Sequence, residues 1–130
     1  MAQSSTLVVG TFTNKLNFNS VTNITDNNFI GVSSNTITEF STQVIINIDC
    51  EISNLYILSN EPVTDILTVN VRRNGENTNL FCVILPDQKI GRNINESFNC
   101  LVGDLISLQV HSSNNICLNC SLNLSFPLIL

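Results

Sequence analysis

Apolar and polar residues alternate with a period of two through much of the stretch from Thr64 to His111. Leu67, Val69 and Val71 fall on one face, and Thr68, Asn70 and Arg72 on the other. That spacing is the mark of a half-buried strand. In the next run Leu80, Cys82 and Ile84 alternate with Phe81, Val83 and Leu85. Asn74-Gly75 stands between the two runs. Both central positions of a type I′ turn need positive φ, which Asn-Gly tolerates best, so the pattern predicts a tight hairpin. A third strand, Leu105 to Val110, follows Gly103-Asp104.

The rest of the chain reads in the same way. Leu7 to Phe12 predicts a first strand. Phe29 to Val32 and Ile37 to Phe40 are short candidates on either side of Ser33-Ser34-Asn35, and Gln43 to Ile48 is rich in β-branched residues. Ile52 to Leu58 reads as a strand buried on both faces, and Leu118 to Phe126 completes the set. Asn14 to Asn28 reads as a long polar loop or short outer strand, and Pro86 to Ser97 as a second long loop. No segment sustains a 3.6-residue period, and Ala2 is the only alanine. The expectation is one all-β domain over residues 1–130, with nine or ten antiparallel strands and residues 1–5 as a short N-terminal arm. Strands at this spacing, with Asn, Gly and Ser at the turns, indicate a two-sheet β-sandwich or a barrel.

Composition narrows the function classes. Charged residues make up 12% of the chain, about half the usual share. Asparagine is roughly one residue in six. Such a surface offers little like-charge repulsion and favours self-association. The net charge is −5, and of five cations only Arg72 and Arg73 are adjacent. Nucleic-acid binding needs a basic stripe, so it is not expected. No apolar run approaches the length of a membrane span. Met1 to Ser5 has no charged or apolar leader character, so the expectation is synthesis without a secretory signal.

Candidate chemistry is sparse. Asp104 reads as a turn residue accepting backbone N–H bonds, and the scattered acids form no calcium pattern. His111 is the only histidine and no nucleophile motif accompanies it. It reads as a polar strand-end residue, and no catalytic role, cofactor or metal is assigned. The five cysteines, Cys50, Cys82, Cys100, Cys117 and Cys120, are disulfide candidates. Cys117-x-x-Cys120 lacks the helix start of a redox motif and the second pair of a zinc ribbon. A four-thiolate site with Cys82 and Cys100 is the residual alternative. Phe126, Leu128, Ile129 and Leu130 end the chain with apolar side chains and are candidates for burial in the last strand or at an oligomer interface.

The run TDILTVNVRRNGENTNLFCVI, an Asn/Ser loop, Cys100 and then VGDLISL resembles the C1q/TNF-like jelly-roll modules of collagen-like surface proteins, spore-surface proteins and virus particles. The resemblance covers roughly the C-terminal two thirds of the chain. It implies a two-sheet jelly roll that assembles as a homotrimer, with a structural or ligand-presenting role and no catalysis. The chain departs from that pattern in having no collagen-like stalk. Cys82 and Cys100, which bracket the second predicted loop, correspond to hairpin positions that carry cysteines in some such modules. A bond there would contribute about 3 kcal/mol, and two small buried thiols are the alternative. The expected role is a subunit of an external protein layer or appendage, on a spore or a virus particle. The other expectation is a head that binds a glycan or surface receptor through its loops, although the only tyrosine, Tyr56, lies mid-strand.

Overall fold

The computed structural model describes residues 8–129; the expected arm over residues 1–5, Leu7 and Leu130 lie outside them. The chain folds as an all-β sandwich of two antiparallel sheets, the class that its alternation predicts. Its strands are β1 (Val8–Asn19), β2 (Asn28–Ile30), β3 (Asn35–Thr36), β4 (Val44–Ile45), β5 (Cys50–Ser59), β6 (Leu67–Arg73), β7 (Glu76–Ile84), β8 (Ile90–Cys100), β9 (Leu105–His111) and β10 (Leu118–Ile129). One sheet has the order β1-β10-β5-β8. The other has the order β3-β2-β9-β6-β7, with β4 also pairing β9.

The two inner faces close on one core. Leu67, Val69 and Val71 of β6 and Ile106, Leu108 and Val110 of β9 are buried in the second sheet. Ile52, Leu55 and Ile57 of β5 and Leu118, Cys120 and Leu122 of β10 are buried in the first. Each such side chain contributes about 1.5–3 kcal/mol when fully buried.

Strand β5 departs from the expected pattern. Its pairing shifts register around Asn54, which has a φ of 54°. This bulge changes the alternation phase, so Cys50 and Ile52 before it and Leu55 and Ile57 after it all reach the core. Tyr56 is half-buried and Leu58 exposed, so the strand buries one face rather than two.

The predicted loop from Pro86 to Ser97 is corrected most heavily. Residues from Ile90 onward form β8, and only a short connection precedes it. β8 is an edge strand pairing β5, and of its residues only Gly91 and Cys100 are buried. An edge strand can carry polar residues on most positions because little of it faces the core. Of the two readings for Asn14 to Asn28, the outer strand holds as far as Asn19, where β1 runs on beside β10, and the loop holds beyond it as far as β2. The expected strand from Ile37 to Phe40 is not formed. A single 3-10 turn, Phe40–Thr42, stands at its end, closed by the Thr42 N–H and hydroxyl donating to the Glu39 carbonyl. The expected strand from Gln43 to Ile48 is reduced to Val44–Ile45, because β4 shares one edge of β9 with β2.

Gly91 sits where β8 passes β7. A Cβ there would lie 2.5 Å from the Val83 carbonyl oxygen and 3.2 Å from Ile57 Cγ1, whereas one on Gly10 would meet nothing within 4 Å. Gly91→Ala should therefore cost about 1–3 kcal/mol by overpacking. Urea unfolding checks this, with Gly10→Ala as a control that leaves stability unchanged or slightly raised.

Candidate functional site

The hairpin between β6 and β7 turns at Asn74 and Gly75, with φ values of 53° and 83°. Its tip is docked on the turn before β9. Asn74 Nδ2 donates to Asp104 Oδ1 at 3.0 Å, and Arg73 Nε donates to Asp104 Oδ2 at 2.9 Å. The Leu101 N–H donates to Asp104 Oδ2 at 2.8 Å. In return, Asn74 Oδ1 accepts from the Leu105 N–H, and the Asn74 N–H donates to the Leu105 carbonyl. Asp104 thus performs the turn role that its position predicts, and it also fastens a hairpin thirty residues upstream. The hydrogen bonds from Asn74 and Leu101, with the Arg73 charge, hold its carboxyl below the ordinary 3.8.

A second polar cluster lies on the outer face of the β6–β9 sheet. Arg72 Nε donates to Glu39 Oε2 at 2.7 Å, and the Ser107 hydroxyl donates to the same oxygen at 2.6 Å. Arg72 also reaches Asn77, Gln109 and the Gly75 carbonyl, and its guanidinium stands 5.7 Å from the centre of the Phe29 ring. Burial pushes the Glu39 pKa up, but hydrogen bonds from Arg72 and Ser107 and the Arg72 charge outweigh it, leaving the carboxyl below 4.5. The sequence reading missed this cluster. Its signal was a lone glutamate and a paired arginine in a chain with few charges of either sign.

Beside the hairpin lies an open cleft of about 450 Å³, lined by Arg73, Asn74, Glu76, Asn77, Thr78, Asn79 and Phe98. It offers a guanidinium, a carboxylate, several amides and one aromatic ring. His111 lies elsewhere, at the end of β9, with Nδ1 3.9 Å from Asp26 Oδ1. Among the described residues no group of three or more His, Cys, Asp or Glu side chains is placed to hold a metal.

All five cysteines are free thiols. Cys117 and Cys120 are three positions apart in extended chain, so their side chains diverge. Cys120 is in the core, while Cys117 is half-buried and its thiol donates to Asn23 Oδ1 at 3.4 Å. The considered Cys82–Cys100 bond is ruled out by register. Asn93 Nδ2 bonds the Phe81 carbonyl and Asn79 Nδ2 bonds the Ser97 carbonyl, so Cys82 lies near the start of β8 and Cys100 at its far end. That separation is on the order of 20 Å. Cys100 instead lies directly opposite Cys50, across β5 and β8.

Of the apolar C-terminal candidates, Phe126 is half-buried, packed against the edge of the core and stacked on Phe12 with ring centres 5.2 Å apart. Phe12 remains 46% exposed. The backbones of Leu128 and Ile129 pair with Gly10 and Val8 in β1, while Leu130 lies outside the described residues. In the segment between β3 and β4, Phe40 is 82% and Ile37 76% exposed. No protein-family model and no curated protein matches this chain.

Glu39 and Asp104 are both more acidic folded than unfolded. The stability they contribute is present above the unfolded carboxylate range and is lost as pH falls through their lowered folded values. Urea midpoints should therefore fall below about pH 4. Asp104→Asn should be less stable than wild type at pH 7, with the difference closing toward pH 2. Asp104→Ala should cost about 1–2 kcal/mol at pH 7.

Proposed function

We propose that this chain is a jelly-roll subunit that self-assembles as a homotrimer into an external protein layer or appendage, on a spore surface or a virus particle. The observation that carries the reading is the uncovered apolar surface. Phe12, beside the half-buried Phe126 at the β1–β10 edge, and Ile37 and Phe40 in the segment between β3 and β4 leave large side chains in water. Exposed apolar side chains that touch one another, as Phe12 and Phe126 do, are the kind of surface that partners cover on folded proteins. The strand winding supports the jelly-roll part of the reading. The chain passes from β5 in one sheet to β6 in the other, returns at β8, and crosses twice more to finish in β10 between β1 and β5. The near-uncharged surface supports dense packing of copies.

A second reading rests on the polar cleft beside the hairpin. Its amides, Arg73, Glu76 and the Phe98 ring are groups that recognise a sugar, so the same subunit would present a glycan-binding surface. Selective binding on a glycan array, abolished by Asn77→Ala, would favour that role.

Light scattering tests assembly. Wild type should have the mass of three chains, and the double variant Phe12→Ser, Phe126→Ser should dissociate at concentrations at least about tenfold higher. Removing Leu128 to Leu130 should also weaken the assembly. A wild type at single-chain mass would overturn the proposal.

A further inference from the structure

We propose that Cys50 and Cys100 form a redox pair that closes into a disulfide within one subunit. The two residues are direct partners in the antiparallel register of β5 and β8. Opposed residues in such a ladder have Cα atoms about 4.5–5.5 Å apart, inside the range that a disulfide spans, so closure needs no large backbone movement. Both side chains are buried on the core side of the same sheet. The pair is nevertheless reachable. A cleft of about 350 Å³, lined by Asp49, Cys50, Glu51, Asn99, Cys100 and Leu101 among others, opens on it at the end of the sandwich.

The surrounding corner is already held in place. The Ile46 N–H donates to the Asp104 carbonyl, the Gly103 N–H to the Ile46 carbonyl, and the Val102 N–H to Asp49 Oδ1. These bonds fix the entry to β5 against the exit from β8, so the two thiols stay in register. No other cysteine pair has this relation. Cys82 and Cys120 come from opposite sheets and are not strand partners, although they share the core and the Cys82 charge adds to the rise at Cys120.

The oxidant is a low-molecular-weight disulfide. One thiolate attacks a sulfur of that disulfide and expels one small thiolate. The second cysteine then attacks the resulting mixed disulfide and expels the other. Two protons leave the protein, the Cys50–Cys100 bond forms, and the small disulfide is reduced to two thiols. Burial pushes both thiols up, Cys100 to about 12, with the Asp49 charge adding to the effect at Cys50 and the neighbouring Cys50 at Cys100. Closure is therefore slow at neutral pH and accelerates as pH rises. The bond lies inside one subunit and does not depend on the assembly proposal.

The test uses the full chain carrying Cys117→Ser, which removes the most accessible thiol. It is incubated with excess oxidised glutathione at pH 8.5, quenched with an alkylating agent and mapped by peptide mass spectrometry. The expected product links Cys50 to Cys100, with an intact mass lower by two hydrogens. Its Tm should rise on the order of 10 °C, because the bond closes a loop of about fifty residues. Dithiothreitol should reverse both changes. Adding Cys50→Ser or Cys100→Ser should abolish the mass loss and the Tm gain. Recovery of Cys50 and Cys100 as alkylated thiols, linkage of either to Cys82 or Cys120, or bonds only between chains would overturn the proposal.

Discussion

Asparagine side chains hold this fold's loops in place. A chain with 12% charged residues has few ion pairs available, yet its turn N–H groups still need acceptors wherever they are shielded from water. Asn114 is the clearest case. Its Oδ1 accepts from the Thr64 and Asp65 N–H groups, while its Nδ2 donates to the Asp65 carbonyl and to Ser112. Asn35 does the same for Val21 and Thr22, and Asn60 for Cys117. Asn93 caps the Asn95 and Glu96 N–H groups within β8 and reaches across to the Phe81 carbonyl of β7. Amides serve because each supplies both an acceptor and donors on a short, stiff side chain.

Pinning the loops with neutral groups has a consequence at the surface. Two of the five cations are held by specific partners, Arg72 by Glu39 and Arg73 by Asp104. The remaining charges are sparse along the chain, while Phe12, Ile37 and Phe40 stay exposed. That combination of few charges and exposed apolar side chains is the physical basis of the proposed assembly. The long edges of the sheets are partly guarded. Asn79 and Asn93 bridge β7 and β8, so that side of the sandwich is closed by side chains, as protected edges must be.

The parts of the fold legible in the sequence are those where local pattern and burial coincide. β6, β7 and β9 alternate cleanly because each faces one core on one side, and the sandwich class follows from them. β8 was illegible because an edge strand with few core contacts needs no apolar rhythm. The phase change at Asn54 could not be seen because a bulge is decided by pairing with β8 and β10. The same nonlocality hid Glu39 from Arg72, and it made Cys100 look like the partner of Cys82 when register sets it opposite Cys50. Sequence spacing suggests which loop a bond would close, but only strand pairing says which residues face each other.

The central claim is that this sandwich is built to associate with copies of itself. Native mass spectrometry of the unmodified chain, in reductant and over a range of micromolar concentrations, tests it most directly. The account predicts a dominant species at three times the chain mass of 14.3 kDa, without covalent links. A single-chain mass at every concentration would contradict it.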